Sequence, residues 1–301
     1  MTGSVVVIRL GVLILPEHRW SDARALWVRA EELGFDHAWT YDHLAWRSLR
    51  DEPWFSALPT LVAAAIVTSH IRIGPLVASP NFRHPVSFAR ELLALDDISN
   101  GRVTLGIGAG GAGWDASMLG HAPWSPTERS GRFREFVVLL DRLLRDPVTS
   151  FEGEYYSADG ARSHPGSVQQ PHMPFAVAAS GPRGMRLAVE HGSTWVTTGD
   201  RKSGGPVDAR TGARIVGEQI ARLDEVCHET DRDPGTLARL VLVGPELSTG
   251  LESPDAFLEV VGRYADAGIT DLVVPWPRAS EPYTGDVAAF EAAVLAARAA
   301  D

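Results

Sequence analysis

One cysteine, Cys227, stands among 301 residues, so the chain can form no internal disulfide and fits a reducing compartment. It falls in the helical pattern Leu223-Asp224-Glu225-Val226-Cys227-His228. No cation lies beside it to stabilise a thiolate, and it reads as a packing residue. Positive charge is also scarce. The 28 Lys and Arg face 38 Asp and Glu, a net charge of −10, and no basic run reverses the sign locally. Such a field repels nucleic acid and anionic membranes and argues against both as partners. The apolar stretch near the start, Val5 to Leu15, is broken by Arg9 and is too short to span a bilayer as a helix. It has neither a basic leading region nor a small-residue cleavage site. It reads as a buried strand, and the protein as cytoplasmic.

What is present is the material of a large core: 45% hydrophobic and 22% charged residues, far from a disordered composition. Short β-branched or apolar runs alternate with longer helical patterns. Strands are predicted at 11–15, 35–41, 71–79, 103–108, 175–179, 194–198, 240–243 and 271–274. Between and after them, helices open at Ser21 (as an N-cap), Pro59, Pro85, about Glu128, Pro182, Ala213, Pro254 and Val287. Eight strand–helix units in strict alternation point to a closed (β/α)8 TIM barrel; an open doubly wound sheet usually has five or six strands. The expectation is one domain over 1–301. Irregular insertions are expected at the C-terminal face, at about 109–127, 150–174 and 199–212.

In such a barrel the chemistry sits where the strands end. The second strand ends in Tyr41-Asp42-His43, a pair suited to proton transfer because imidazole titrates near neutrality and a carboxylate can orient it. A second pair, Asp36-His37, lies at the other end of that strand, roughly 20 Å away. The two pairs cannot share an ion, and no other spacing gives a ligand set, so no metal is assigned. The third strand leads into the stiff loop Ser79-Pro80-Asn81-Phe82-Arg83-His84-Pro85. The fourth runs into Gly106-Ile107-Gly108-Ala109-Gly110-Gly111, a formal G-x-G-x-x-G in the wrong place for a dinucleotide fold. These glycines let backbone approach a flat ligand closely. After the fifth strand, Ala179-Ser180-Gly181-Pro182-Arg183-Gly184-Met185-Arg186 opens a helix and has the makings of an anion site, with Arg183 and Arg186 adding charge. Among nine tryptophans, Trp46, Trp54 and Trp114 fall in loops on this face and are candidate pocket walls.

Together these loops resemble the luciferase-like (bacterial luciferase-type) flavin and coenzyme F420-dependent oxidoreductases. The resemblance runs through Ala30 to Asp36, Tyr41-Asp42-His43, Ile71 to Pro85, Leu95 to Gly113 and Ala179 to Arg186. It implies a homodimeric enzyme that transfers hydride between coenzyme F420 and a small organic substrate, with His43 relaying the proton and Asp42 orienting it. It further implies a non-prolyl cis peptide at Leu76-Val77. Ser79 would lie near the cofactor ring, with Gly108 and Ala109 in contact, and Ser180, Gly181 and Gly184 would hold the phosphate. The family's sugar-phosphate dehydrogenases carry a glutamate where this chain has Gly111, which argues against sugar-phosphate oxidation; the nearest acid afterwards is Asp115. The rival within the family is a monooxygenase using reduced FMN and oxygen. A remote rival is a metal-dependent barrel hydrolase.

Overall fold

The structure, a computed structural model, describes residues 8–111, 113–200, 206–244 and 246–300. Its strands in chain order are β1 (Arg9–Leu13), β2 (His37–Thr40), β3 (Arg72–Pro75), β4 (Leu105–Gly108), β5 (Val148–Glu152), β6 (Ser157–Arg162), β7 (Phe175–Ala178), β8 (Thr194–Thr197), β9 (Ala238–Leu242) and β10 (Asp271–Pro275). Eight of them pair in the order β3-β2-β1-β10-β9-β8-β7-β4, and every pairing is parallel. Two bridges, Ile73 to Val103 and Ala78 to Ile107, bring β3 to β4 and complete the ring. Gly74 and Gly106 permit that seam. A Cβ on Gly74 would lie 1.8 Å from the Thr104 carbonyl oxygen, and one on Gly106 would lie 2.2 Å from that of Pro75.

The helices are α1 (Trp20–Glu32), α2 (Ala57–Val67), α3 (Pro85–Ile98), α4 (Trp114–Met118), α5 (Pro126–Arg145), α6 (Pro182–His191), α7 (Ala209–Glu229), α8 (Pro254–Asp266) and α9 (Val287–Ala300). Strand side chains alternate between two cores, as the two-residue period requires. Leu10, Val12, Ala38, Leu272 and Val274 pack outward against the helices. Leu13, Trp39, Leu76, Ala176, Val196, Leu240 and Val273 fill the barrel.

At the floor of the barrel Gly11 leaves room for a histidine: a Cβ there would lie 2.0 Å from His37 Nδ1. Trp39 Nε1 donates to His37 Nδ1 at 2.6 Å. Nδ1 is therefore the acceptor, and Nε2–H donates to Asp271 Oδ1 at 3.2 Å. Arg9 donates to both Asp271 oxygens at 2.7 Å. Burial works against the Asp271 charge, but the hydrogen bonds from His37 and Arg9 prevail and hold its carboxyl well below the usual range.

The eight expected strand–helix units are all present. Four local expectations are corrected. The 109–127 stretch, expected to be irregular, holds α4 and the start of α5. α1 starts before Ser21, with Arg19 at its N-cap and no side-chain cap; Gly34, at φ +80°, ends it as expected. The 150–174 stretch is not wholly irregular, because β5 and β6 form an antiparallel hairpin that begins at Val148. Its tip is held from outside: Glu135 accepts the N–H groups of Glu154 and Tyr155, both at 2.9 Å. Buried Asp96 likewise accepts from Val168 N and Gln169 Nε2, each at 2.8 Å, and from Ser167 Oγ. In the 199–212 stretch, α7 already begins at Ala209, capped by the Asp208 side chain; residues 201–205 lie outside the described residues. Among the described residues, no helix is long and apolar enough to cross a membrane.

Candidate active site

Beyond β2 the chain stays extended, so neighbouring side chains diverge. Asp42, only 1% exposed, turns to the β3–α3 loop, where Arg83 Nε and Nη2 donate to its two oxygens at 2.6 and 2.7 Å. Both its acceptor oxygens are thus engaged by Arg83. The expectation that Asp42 orients His43 is therefore corrected. The partner of His43 is Asp115 in α4: His43 Nδ1 lies 2.9 Å from Asp115 Oδ2. The other oxygen, Oδ1, accepts the Leu44 N–H at 2.8 Å. The His43 side chain keeps 26% exposure against 1% for Asp115. Where the carboxylate accepts from Nδ1–H, the other ring nitrogen, Nε2, is the one without a proton in the neutral ring.

Beside His43 stands an aromatic wall. Trp54 Nε1 donates to the His43 carbonyl at 2.8 Å. Trp46 stacks on Trp54 at 6.1 Å and on Tyr283 at 6.0 Å, and meets Tyr41 at 4.7 Å. The hydroxyls of Tyr41 and Tyr283 are 2.7 Å apart. Burial pushes both phenols up, Tyr283 to about 12, so both keep their protons at neutral pH. One hydroxyl donates to the other, and the acceptor's own O–H has no partner among the described residues. Tyr283 reaches this wall because Arg278 donates to both oxygens of Glu17 at 2.7 and 2.6 Å, pinning the loop after β10 to the loop after β1. Trp114 stands apart from the stack, on α4, with the Arg50 guanidinium 4.0 Å from its ring centre.

Next to the aromatic wall lies the end of β3, the strand that pairs with β2. The Leu76–Val77 peptide bond is cis, as the resemblance implies. Ala78 N donates to the Gly106 carbonyl at 2.8 Å and Gly108 N to that of Ala78 at 2.9 Å. A Cβ on Gly108 would sit 2.8 Å from Val77 Cγ2, whereas one on Gly111 would meet nothing within 4 Å. The formal glycine motif therefore divides: Gly106 serves the barrel seam, Gly108 the end of β3, and Gly111 neither. The hydroxyls of Thr40 and Ser79 are buried and have no hydrogen-bond partner among the described residues; Thr40, between the inward-facing Trp39 and Tyr41, faces the helix layer.

After β7, Trp195 Nε1 donates to the Ala179 carbonyl at 2.8 Å and fixes the start of the loop. Gly181 is the N-cap of α6, with no side-chain cap and no acidic residue in the first turn. Ser180, Gly181 and Arg183 are exposed. Arg183 makes no hydrogen bond or ion pair among the described residues, so it is available to an anion. Arg186 is not, being paired with Glu229 at 2.6 Å. Gly184 is needed for packing, since a Cβ would lie 2.8 Å from that of Ala179. Ala109 packs half-buried at the edge of the core.

The segments that carry the residues expected from sequence all follow the carboxyl ends of barrel strands, namely β2, β3, β4 and β7. Three contacts on this face were not legible in the sequence: Asp115 as partner of His43, Arg83 as partner of Asp42, and Tyr283 against Tyr41. Asp115 had a signal, as the first acid after the glycine stretch. Tyr283 had none, because its loop follows the last strand and reaches β2 only through the closed ring.

A family model described as luciferase-like monooxygenase matches residues 1–245. The chain is 29% identical to an F420-dependent glucose-6-phosphate dehydrogenase of Beutenbergia cavernae, over 86% of this chain and 88% of that protein. It is 34% identical to a protein of the same description from Kineococcus radiotolerans, over 85% and 78%. A solved F420-dependent secondary alcohol dehydrogenase, in complex with an F420-acetone adduct, superposes with a TM-score of 0.79 at 19% identity, over 96% of this chain and 97% of that one.

Proposed function

The chain belongs to the luciferase-like monooxygenase family, and from that premise we propose that it is a coenzyme F420-dependent oxidoreductase acting on a small organic alcohol or the matching carbonyl compound. The observation that carries the proposal is His43 at the barrel mouth, its Nδ1 held at 2.9 Å by buried Asp115 and its Nε2 left for exchange. The relatives' descriptions as F420-dependent enzymes support the choice of cofactor.

The walls fit a flat ring carrying a phosphorylated tail. Ser79, in the segment that leaves β3, would lie beside the polar edge of such a ring. Leu76, Val77, Gly108 and Ala109 give it a close apolar bed. Ser180, Gly181, Gly184 and the uncapped start of α6 would receive the phosphate, with Arg183 adding charge. The deazaflavin, when bound, supplies a carbon that accepts or gives up hydride. The protein's part is to position, to keep the site dry and to move one proton. His43 Nε2 takes the proton from a substrate hydroxyl in oxidation and returns it to the carbonyl oxygen in reduction. Trp46, Trp54 and Tyr283 would wall the substrate side. Trp114 lies at the rim. A homodimer is part of the same proposal and is read by light scattering.

The test is anaerobic reduction of F420 by a panel of primary and secondary alcohols, with glucose 6-phosphate included. Reduction without oxygen by at least one unphosphorylated alcohol supports the proposal. Turnover only with reduced FMN and oxygen would replace it with the monooxygenase the family description names.

A further inference from the structure

We propose that Asp115 is the positioning residue of the proton relay: by accepting from Nδ1–H it selects the tautomer of His43 that leaves Nε2 to the substrate. This rests on the role proposed for His43. Asp115 cannot be the acid or base itself, because it is 1% exposed and its oxygens are engaged, Oδ2 by His43 Nδ1 and Oδ1 by Leu44 N–H. It acts only through the histidine. The geometry also explains what the short helix α4 is for. The insertion after β4 crosses to the loop after β2 and brings one carboxylate to the Nδ1 edge of the imidazole. In a neutral imidazole one nitrogen donates and the other accepts, and the partner of Nδ1 decides which.

A plain structural role, stapling α4 to the Leu44 backbone, is the competing reading, and Asp115→Asn separates the two. The Leu44 N–H needs an acceptor, so the Asn carbonyl oxygen takes that place and the staple survives. The amide NH2 then faces Nδ1 and forces it to accept, which moves the proton to Nε2. The measurement is the 15N chemical shift of the His43 ring nitrogens in the apo protein, at a pH where the ring is neutral and with His43→Gln identifying the signal. The expected result is Nδ1–H in the wild type and Nε2–H in Asp115→Asn, with F420 affinity within about threefold and alcohol turnover down about 100-fold or more, the scale of a lost general base. An unchanged tautomer in Asp115→Asn would overturn the inference. A switched tautomer with turnover intact in both Asp115→Asn and His43→Gln would leave the positioning correct and remove His43 from the reaction.

Discussion

Arg83 closes on Asp42 through two parallel hydrogen bonds, 2.6 Å from Nε to Oδ2 and 2.7 Å from Nη2 to Oδ1. The pair is nearly sealed, with side-chain exposures of 9% and 2%, and it ties the loop after β2 to the loop after β3. Removing one partner strands the other charge in a buried place. Arg83→Met should therefore cost about 3–5 kcal/mol of stability, whereas adding Asp42→Leu should recover part of it. Urea unfolding of the two single variants and the double reads this directly. Strictly additive losses would mean that the pair is not coupled.

His43 is assigned the proton, so its loss should affect turnover far more than binding. His43→Gln should lower alcohol-dependent F420 reduction by about 100-fold and leave F420 affinity within a factor of about three. A variant that turns over at the wild-type rate would take the histidine out of the mechanism.

Gly108 and Gly181 separate packing from ligand contact. A Cβ at Gly108 would press on Val77 at 2.8 Å, whereas Gly181 has open space around it. Gly181→Val should melt at the wild-type temperature and still bind F420 several-fold more weakly, because its side chain occupies the place proposed for phosphate. Gly108→Ala should both melt lower and bind less. Full affinity in Gly181→Val would move the phosphate elsewhere.

The floor of the barrel makes a pH prediction. Asp271 is held below its ordinary carboxyl value in the folded state by His37 and Arg9. A depressed folded value stabilises the fold above the unfolded value of about 4 and loses that contribution as pH falls below it. Asp271→Asn should be about 3 kcal/mol less stable at pH 7, and the gap should narrow progressively below pH 4. Chemical denaturation at pH 7, 5 and 3 measures it. A gap independent of pH would show that the carboxylate charge does not matter.

The eight strand–helix units were legible because each depends on local periodicity and on glycine or proline at its ends. The hairpin β5–β6 was not, since its tip is held by Glu135 from α5, which precedes it in sequence. The same division holds at the site. Tyr41-Asp42-His43 and the Leu76–Val77 strand end were readable as local motifs. The pairing within them was not. Asp42 adjoins His43 in sequence but faces Arg83, 41 residues on, and His43 faces Asp115, 72 residues on. Adjacency along an extended chain separates side chains, and only the closed ring decides which loops meet.

A parallel titration of the apo protein with F420 and with FMN, followed by tryptophan fluorescence, tests the cofactor most directly. Trp46 and Trp54 stand in the wall beside the proposed site, so binding should quench them. Saturable, micromolar-range quenching by F420 is expected, with none by FMN at the same concentrations. Preferential binding of FMN, or of neither, would contradict the assignment of F420.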